Sequence, residues 1–124
     1  MDYKPAGYTS VAPYLIVTDA DTTLGFAEAA FGAKRLRVTR REDGRLRHAE
    51  FRIDDTVVML GEFPQATGGH VHVYVPDADA AMARAIAAGG KQIHPIVEQD
   101  GDRRGGVSDP SGTTWWLSTQ IKKV

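Results

Sequence analysis

The chain has 124 residues, a length typical of one domain that buries roughly two-thirds of the surface its unfolded chain exposes. Its 15 basic and 16 acidic residues give a net charge of −1, so there is no overall field to collect nucleic acid and we expect no nucleic-acid partner. The chain contains no cysteine, its first residues do not resemble a secretion signal, and no run approaches the roughly 20 apolar residues that cross a bilayer. We therefore expect a cytoplasmic chain with no membrane partner.

The first half predicts one strand, one helix and three further strands. Residues 11–17 (VAPYLIV) are rich in strand formers, and the acidic side chains of 19–21 can cap a helix that continues to Phe31. Gly32 then ends the helix, because glycine tolerates left-handed backbone. A DG turn at 43–44 predicts a hairpin. The three further strands are expected at 34–41, 45–54 and 56–61.

The second half repeats this order after a candidate linker at 63–69 (FPQATGG). The stretch VTDAD at 17–21 recurs as VPDAD at 75–79, and each precedes an Ala-rich segment that stops at a glycine, again 58 residues apart. The remaining elements are expected at 70–75, 79–88 (helix), 92–98, 105–108 and 113–119.

The repeat predicts an α+β fold with two tandem βαβββ units. We expect one domain over residues 1–124, with repeat 1 at about 8–62 and repeat 2 at about 69–121. The two units are expected to form a cupped, mostly antiparallel sheet with the helices on its outer face and a ligand cleft on the other.

Alternation along the strands separates a helix-packed face from a polar face. In 70–75 the odd positions are all valine, while the even positions are two histidines and a tyrosine. The 48–53 stretch splits in the same way, and in 11–17 the odd positions Val11, Leu15 and Val17 are assigned to the core. The polar face is predicted to bind a ligand through Tyr14, His48, Glu50, Arg52, His70, His72, Tyr74 and Trp116.

Adjacent tryptophans on one strand must point to opposite faces. We assign Trp115 to the core, on the side of Leu117, and Trp116 to the cleft as a surface for ligand stacking or a dimer contact. The polar face can also be explained as an ordinary solvated sheet face, in which His48, Glu50 and Arg52 are cross-strand partners of the arginine-rich neighbouring strand.

Two charged segments allow more than one interpretation. Seven arginines crowd the first unit; interspersed acids favour a solvated face over an anionic ligand site. They are Arg35, Arg37, Arg40, Arg41, Arg45, Arg47 and Arg52. The GDRRGG segment at 101–106 lacks the spacing of a phosphate-binding loop, and we interpret Asp102 and Arg103 as residues that fix a loop.

Several motifs in this order resemble the vicinal oxygen chelate superfamily, which includes glyoxalase I, bleomycin-resistance proteins and extradiol dioxygenases. They are VTDAD (17–21), FGA (31–33), HAEFRI (48–53), GDRRGGVSDPSG (101–112) and TTWWL (113–117). The resemblance covers nearly the whole chain and implies a cupped sheet completed or stabilised in a homodimer.

The resemblance also implies four positions for a divalent metal, of the types His, Glu or Gln, His and Glu. In this sequence they fall on Ala12, Glu50, His70 and Trp116. Alanine has no donor atom, and an indole N–H offers no lone pair to a cation. Glu50 and His70 alone fall short of the three protein ligands of a catalytic zinc, so we expect no metal cofactor.

An alternative metal site remains chemically reasonable. His48, Glu50, His70 and His72 are suitable ligands for zinc, nickel or iron. Two-residue steps place side chains about 7 Å apart along a strand, which is wide for one shared ion.

The predicted function is metal-independent binding and sequestration of a planar or aromatic small molecule, such as an antibiotic or a toxic metabolite, similar to that of bleomycin-resistance proteins. The alternative is a glyoxalase-like lyase or isomerase, with or without a metal, in which Glu50 acts as general base with a pKa raised by a dry cleft beside Trp116. A third possibility is an interaction module whose cleft has lost its ligand.

Overall fold

The computed structural model describes residues 3–122, in which two βαβββ units follow one another. The first unit contains β1 (Tyr14–Val17), α1 (Ala20–Phe31), β2 (Lys34–Arg40), β3 (Leu46–Ile53) and β4 (Thr56–Glu62). The second contains β5 (His70–Tyr74), α2 (Ala78–Ala87), β6 (Lys91–Gln99), β7 (Asp102–Ser108) and β8 (Thr114–Gln120). The ends of the predicted 1–124 domain, residues 1–2 and 123–124, lie outside the described part.

Each unit forms its own four-stranded sheet. The strand orders are β1-β4-β3-β2 and β5-β8-β7-β6. The first and last strands of each unit pair in parallel, and the other neighbours are antiparallel. The predicted α+β class with mostly antiparallel pairing is confirmed. None of the helices in residues 3–122 has the length and apolar character needed to span a membrane.

The helix starts reproduce the 58-residue repeat. The carboxylates of Asp19 and Asp77 accept hydrogen bonds from the backbone N–H groups of Thr22 and Ala80, both at 3.1 Å. The helix ends differ. Gly32 is left-handed, with φ of 66°, as predicted, whereas α2 ends before Ala88 and the left-handed residue is Gly89.

A continuous core joins the two units. The two helices pack against each other, α1 against β3 and β4, and α2 against β6, β7 and β8. Side chains from both sheets belong to one buried cluster, in which Phe26 and Phe31 of α1 contact Trp115 of β8. Because this core occupies the helix-facing sides, the opposite, polar faces of the two sheets point away from it.

Two details of the predicted strands are wrong. The first strand begins at Tyr14 rather than residue 11, since Pro13 has no N–H for the ladder, and Val11 is 83% exposed instead of buried. Residues 102–104 form the start of β7 rather than a loop. The predicted strand began only at the two consecutive glycines. The first of them, Gly105, leaves space for β6, since a Cβ there would lie 2.7 Å from Cδ1 of Ile96.

Candidate functional site

The polar face of the second sheet contains a cavity of about 340 Å³, which we call the Trp116 cavity. Its lining residues are His72, His94, Gln99, Arg104 and Trp116. Trp115 is fully buried on the helix side, so its neighbour Trp116 projects to the polar face. This confirms the predicted orientation of both tryptophans.

The indole of Trp116 lies against a glycine of the neighbouring strand. Gly106 of β7 pairs with Trp116 of β8, and a Cβ on Gly106 would lie 2.8 Å from Cζ3 of the ring. Nε1 of Trp116 donates to Nδ1 of His70 at 3.1 Å, and the two rings are almost parallel, at 9°. His94 contacts the indole from β6, with ring centroids 6.0 Å apart. The indole is therefore held in one orientation.

A chain of hydrogen bonds runs beside the Trp116 cavity. Nε of Arg104 donates to Oγ of the fully buried Ser118 at 2.8 Å, and Nη2 donates to Oδ2 of Asp102 at 2.9 Å. Ser118 also contacts Nε2 of His72 at 3.0 Å. Partial desolvation of the ring lowers the pKa of His72, and the nearby Arg104 lowers it further. The His72 imidazole is consequently neutral at neutral pH.

Arg104, Gln99, His94 and Ser118 were missed as site residues. The error follows from the predicted strands: with β7 starting at residue 105, neither arginine of GDRRGG received a face. Extending the alternation back from Gly106 places Arg104 on the polar face and Arg103 on the other. In the structure Arg103 indeed pairs with Asp79 of α2, at 2.6 Å, so its loop-fixing role is replaced by a contact between strand and helix.

The polar face of the first sheet contains a second cluster, around Glu50. This carboxylate is 3% exposed, and both of its oxygens are engaged. The Tyr8 hydroxyl donates to Oε1 at 2.5 Å, and Nε2 of His48 lies 2.8 Å from Oε2. The Tyr14 ring packs against His48 with centroids 5.9 Å apart.

The segment before β1 covers the Glu50 cluster. Nη2 of Arg52 donates to the Gly7 carbonyl at 2.6 Å, which fixes this segment next to Tyr8. Arg52, predicted as a ligand contact, thus holds the chain, and two other cations, Lys4 and Arg37, line the cavity over Glu50. No sequence pattern indicated Tyr8, because its contact with Glu50 joins residues 42 positions apart.

The pKa of Glu50 shifts opposite to the expected direction. Burial raises it, but hydrogen bonds from Tyr8 and His48 together lower it below its ordinary value. The expected rise beside Trp116 is wrong, because Trp116 belongs to the other sheet and does not line the cavity over Glu50. Glu50 is an ionised hydrogen-bond acceptor, and the hydrogen bond between Tyr8 and Glu50 raises the pKa of Tyr8.

Replacing Tyr8 with phenylalanine is expected to raise the pKa of Glu50, because a hydrogen bond to the charged form is lost while burial remains. In the wild type the lowered pKa of Glu50 stabilises the fold at pH values above the pKa of the unfolded state. This contribution is lost as the pH falls through the pKa of the folded state. NMR titration of the Glu50 carboxyl carbon measures the change. The Tyr3→Phe variant is the control, since Tyr3 is 93% exposed; an unchanged Glu50 pKa in Tyr8→Phe would contradict the assignment.

The predicted ligand residues form two groups rather than one. Among residues 3–122, Tyr14, His48 and Glu50 contact one another on the first sheet. On the second sheet His70 contacts Trp116, and His72 contacts Tyr74. Within one chain, a ligand site on the second sheet is therefore built without Glu50 or Arg52.

The donor set does not fit a divalent metal. Of the four positions implied by the resemblance, Ala12 and Trp116 supply no ligand atom. Glu50 has both oxygens in hydrogen bonds, and Nδ1 of His70 accepts the indole N–H of Trp116. The alternative set divides between β3 and β5 of different sheets. In the described part of the chain, no three His, Asp or Glu side chains are grouped for a metal.

In the described part of the chain, three of the seven arginines of the first unit form ion pairs. Arg35 binds Glu28, Arg40 binds Asp21 and Arg45 binds Glu62, at 2.9 to 3.0 Å. The three arginine side chains are 39–49% exposed, which fits the interpretation as a solvated face.

Comparisons with known proteins agree with this fold. The model of the Glyoxalase/Bleomycin resistance protein/Dioxygenase superfamily matches residues 7–117. The uncharacterized protein Rv0887c of Mycobacterium tuberculosis is 35% identical over 130 residues, which cover 93% of this chain and 76% of that protein. The uncharacterized protein Mb0911c of Mycobacterium bovis is also 35% identical, with 93% of this chain and 86% of that protein covered.

Two solved structures share the fold. TioX from Micromonospora sp. ML1 has a TM-score of 0.77 at 24% identity, over 91% of this chain and 99% of TioX. The fosfomycin resistance protein FosX of Listeria monocytogenes has a TM-score of 0.72 at 16% identity, over 100% of this chain and 97% of FosX. The match to the superfamily model spans most of the sequence, including repeat 1, most of repeat 2 and the motifs at 17–117 that resemble the vicinal oxygen chelate proteins. The chain belongs to the glyoxalase/bleomycin resistance protein/dioxygenase superfamily.

Proposed function

We propose that this protein binds and sequesters a planar or aromatic small molecule in the Trp116 cavity without a metal ion. The observation that carries the proposal is the fixed indole of Trp116. Its ring edge rests on Gly106, its N–H is satisfied by His70, and it lines a cavity on the polar face. A half-buried aromatic ring with its own polar atom already bonded is suited to stack a flat ligand.

The available donor atoms support metal-independent binding. Two of the four metal-ligand positions implied by the resemblance carry Ala12 and Trp116, and Glu50 is held in hydrogen bonds by Tyr8 and His48. The same contacts disfavour the enzyme alternative, because a general base needs a free oxygen and a pKa near the working pH. Glu50 has a lowered pKa and two occupied oxygens.

A second copy of the chain is the proposed protein partner, in a cytoplasmic homodimer. Tyr14 and Tyr74 are 47% and 67% exposed on the polar faces, and a dimer would cover such aromatic surface. In this arrangement the first sheet of one copy would face the Trp116 cavity of the other and enclose the ligand. Size-exclusion chromatography with light scattering measures the subunit number, and a monomer at micromolar concentration would contradict the arrangement.

The binding proposal is tested with three naphthalene compounds that differ in one substituent: 2-naphthoate, 2-naphthamide and 2-naphthylmethylammonium. Isothermal titration calorimetry is expected to show binding of at least one compound, weakened about tenfold by Trp116→Ala, since loss of one stacking contact and its buried area costs about 1.4 kcal/mol. Tyr3→Ala, at an exposed ring outside the Trp116 cavity, is the control. Unchanged affinity in Trp116→Ala, or no binding of any of the three, would contradict the proposal.

A further inference from the structure

The lining of the Trp116 cavity contains a positively charged side chain and no negatively charged one. Of its five residues, Arg104 alone carries a permanent charge, and no carboxylate belongs to the lining. Asp102, the acidic partner of Arg104, is 8% exposed and bonds to Nη2 outside the lining. Among the described residues Nη1 has no partner, so the guanidinium retains donors for a ligand.

The hydrogen bonds beside the cavity also fix the histidine donors. An indole N–H only donates, so Nδ1 of His70 accepts and its ring proton lies on Nε2. Ser118 accepts from Arg104, and among the described residues Nε2 of His72 is the acceptor within reach of its hydroxyl. His72 therefore has its proton on Nδ1. Both imidazoles retain one N–H donor that their protein partners do not use.

The third histidine differs from these two. Nδ1 of His94 lies 2.8 Å from the Pro95 carbonyl, which only accepts, so Nδ1 is the donor and Nε2 of the neutral ring is an acceptor. His94 lies beside Trp116, whereas Arg104 and His72 are joined through Ser118. The donors are thus concentrated around Arg104 and His72.

The strand register gives the distance between the stacking surface and the cation. Trp116 pairs with Gly106, and Arg104 lies two residues before Gly106 on the same face of β7. A two-residue step along a strand is about 7 Å. A ring stacked on Trp116 can therefore place a substituent at its edge next to Arg104.

We propose that the Trp116 cavity selects planar aromatic compounds that carry a carboxylate, and that Arg104 is the residue that determines this specificity. The inference rests on the proposed function and names its ligand class. The aromatic ring stacks on Trp116, and the carboxylate accepts hydrogen bonds from Arg104 and His72. A cationic substituent in the same place meets a guanidinium and an N–H donor, which repel it.

The test uses the three naphthalene compounds and the 124-residue chain. 2-Naphthoate is expected to bind at least about tenfold more tightly than 2-naphthamide, and 2-naphthylmethylammonium more weakly than both. Equal affinities that all depend on Trp116 would overturn the selectivity and leave the proposed function intact. Loss of all binding would overturn both.

Variants of the adjacent arginines assign the selectivity. Arg104→Gln is expected to reduce the affinity for 2-naphthoate about tenfold and leave that for 2-naphthamide within about twofold. If Arg104→Gln unfolds, Arg104→Lys is tested in its place. This variant keeps the positive charge and is expected to retain the order of the three affinities. Arg103→Gln is the matched control, because Arg103 pairs with Asp79 on the helix side. A preference for 2-naphthoate that persists in Arg104→Gln, or that disappears in Arg103→Gln, would overturn the assignment.

Discussion

The Trp115→Ala variant is expected to lose about 3–5 kcal/mol of the free energy of unfolding, the largest effect of any single substitution considered. Trp115 is fully buried between the second sheet and α1, where Phe31 lies 5.0 Å from it between ring centroids. Its Nε1 donates to Oδ2 of Asp109 at 2.9 Å, and Oδ1 of Asp109 accepts from two backbone N–H groups of the β7–β8 turn. The substitution therefore creates a cavity and leaves a buried carboxylate one donor short.

Urea denaturation of Trp115→Ala and Trp116→Ala separates the two roles. Trp116 is half-buried on the polar face, so its removal is expected to cost less than half of the stability lost at Trp115 while weakening ligand binding. Trp115→Phe keeps most of the ring volume and is expected to fall between wild type and Trp115→Ala. Equal losses of stability in the two alanine variants would contradict the assignment of faces.

The Gly106→Val variant is expected to remove ligand binding by displacing the indole of Trp116. A Cβ on Gly106 would lie 2.8 and 3.0 Å from two ring carbons and 3.2 Å from Cγ1 of Ile93. The ring must move, and the overpacking is expected to cost about 1–3 kcal/mol of stability. Trp fluorescence and calorimetry with 2-naphthoate measure the displacement and the lost affinity, which should match that of Trp116→Ala.

Another glycine provides the control for this substitution. A Cβ on Gly25, inside α1, would meet no heavy atom within 4 Å. Gly25→Ala is expected to stabilise the protein by up to about 1 kcal/mol, because alanine is the better helix former, and to leave binding unchanged. If Gly106→Val bound 2-naphthoate with wild-type affinity, the result would contradict the role of Gly106 in positioning the indole of Trp116.

Local signals were sufficient to predict most of the fold. The capping aspartates, the left-handed Gly32 and the alternating valines of β5 each depend on neighbouring residues, and each was correctly interpreted. The start of β7 was missed because Asp102, which has a low strand propensity, follows directly on a glycine in the sequence. In this strand Gly105 and Gly106 are required by side chains of β6 and β8, which are contacts that local sequence does not show.

Only those features of the site that follow from the alternation of side chains along a strand could be predicted from the sequence. Alternation placed Trp116 and His72 on the polar face, and both line the cavity. It could not show that Tyr8 binds Glu50, or that Ser118 joins His72 to Arg104, because these contacts connect distant strands and segments. The direction of the Glu50 pKa shift depends on these same contacts and was therefore predicted incorrectly.

The most direct test of metal-independent binding in the Trp116 cavity is calorimetric titration of 2-naphthoate into protein stripped with a chelator, before and after addition of zinc or nickel. We expect the same Kd in both states, with about tenfold weaker binding in Trp116→Ala. Binding that requires the added metal, or that is unaffected by Trp116→Ala, would contradict the account.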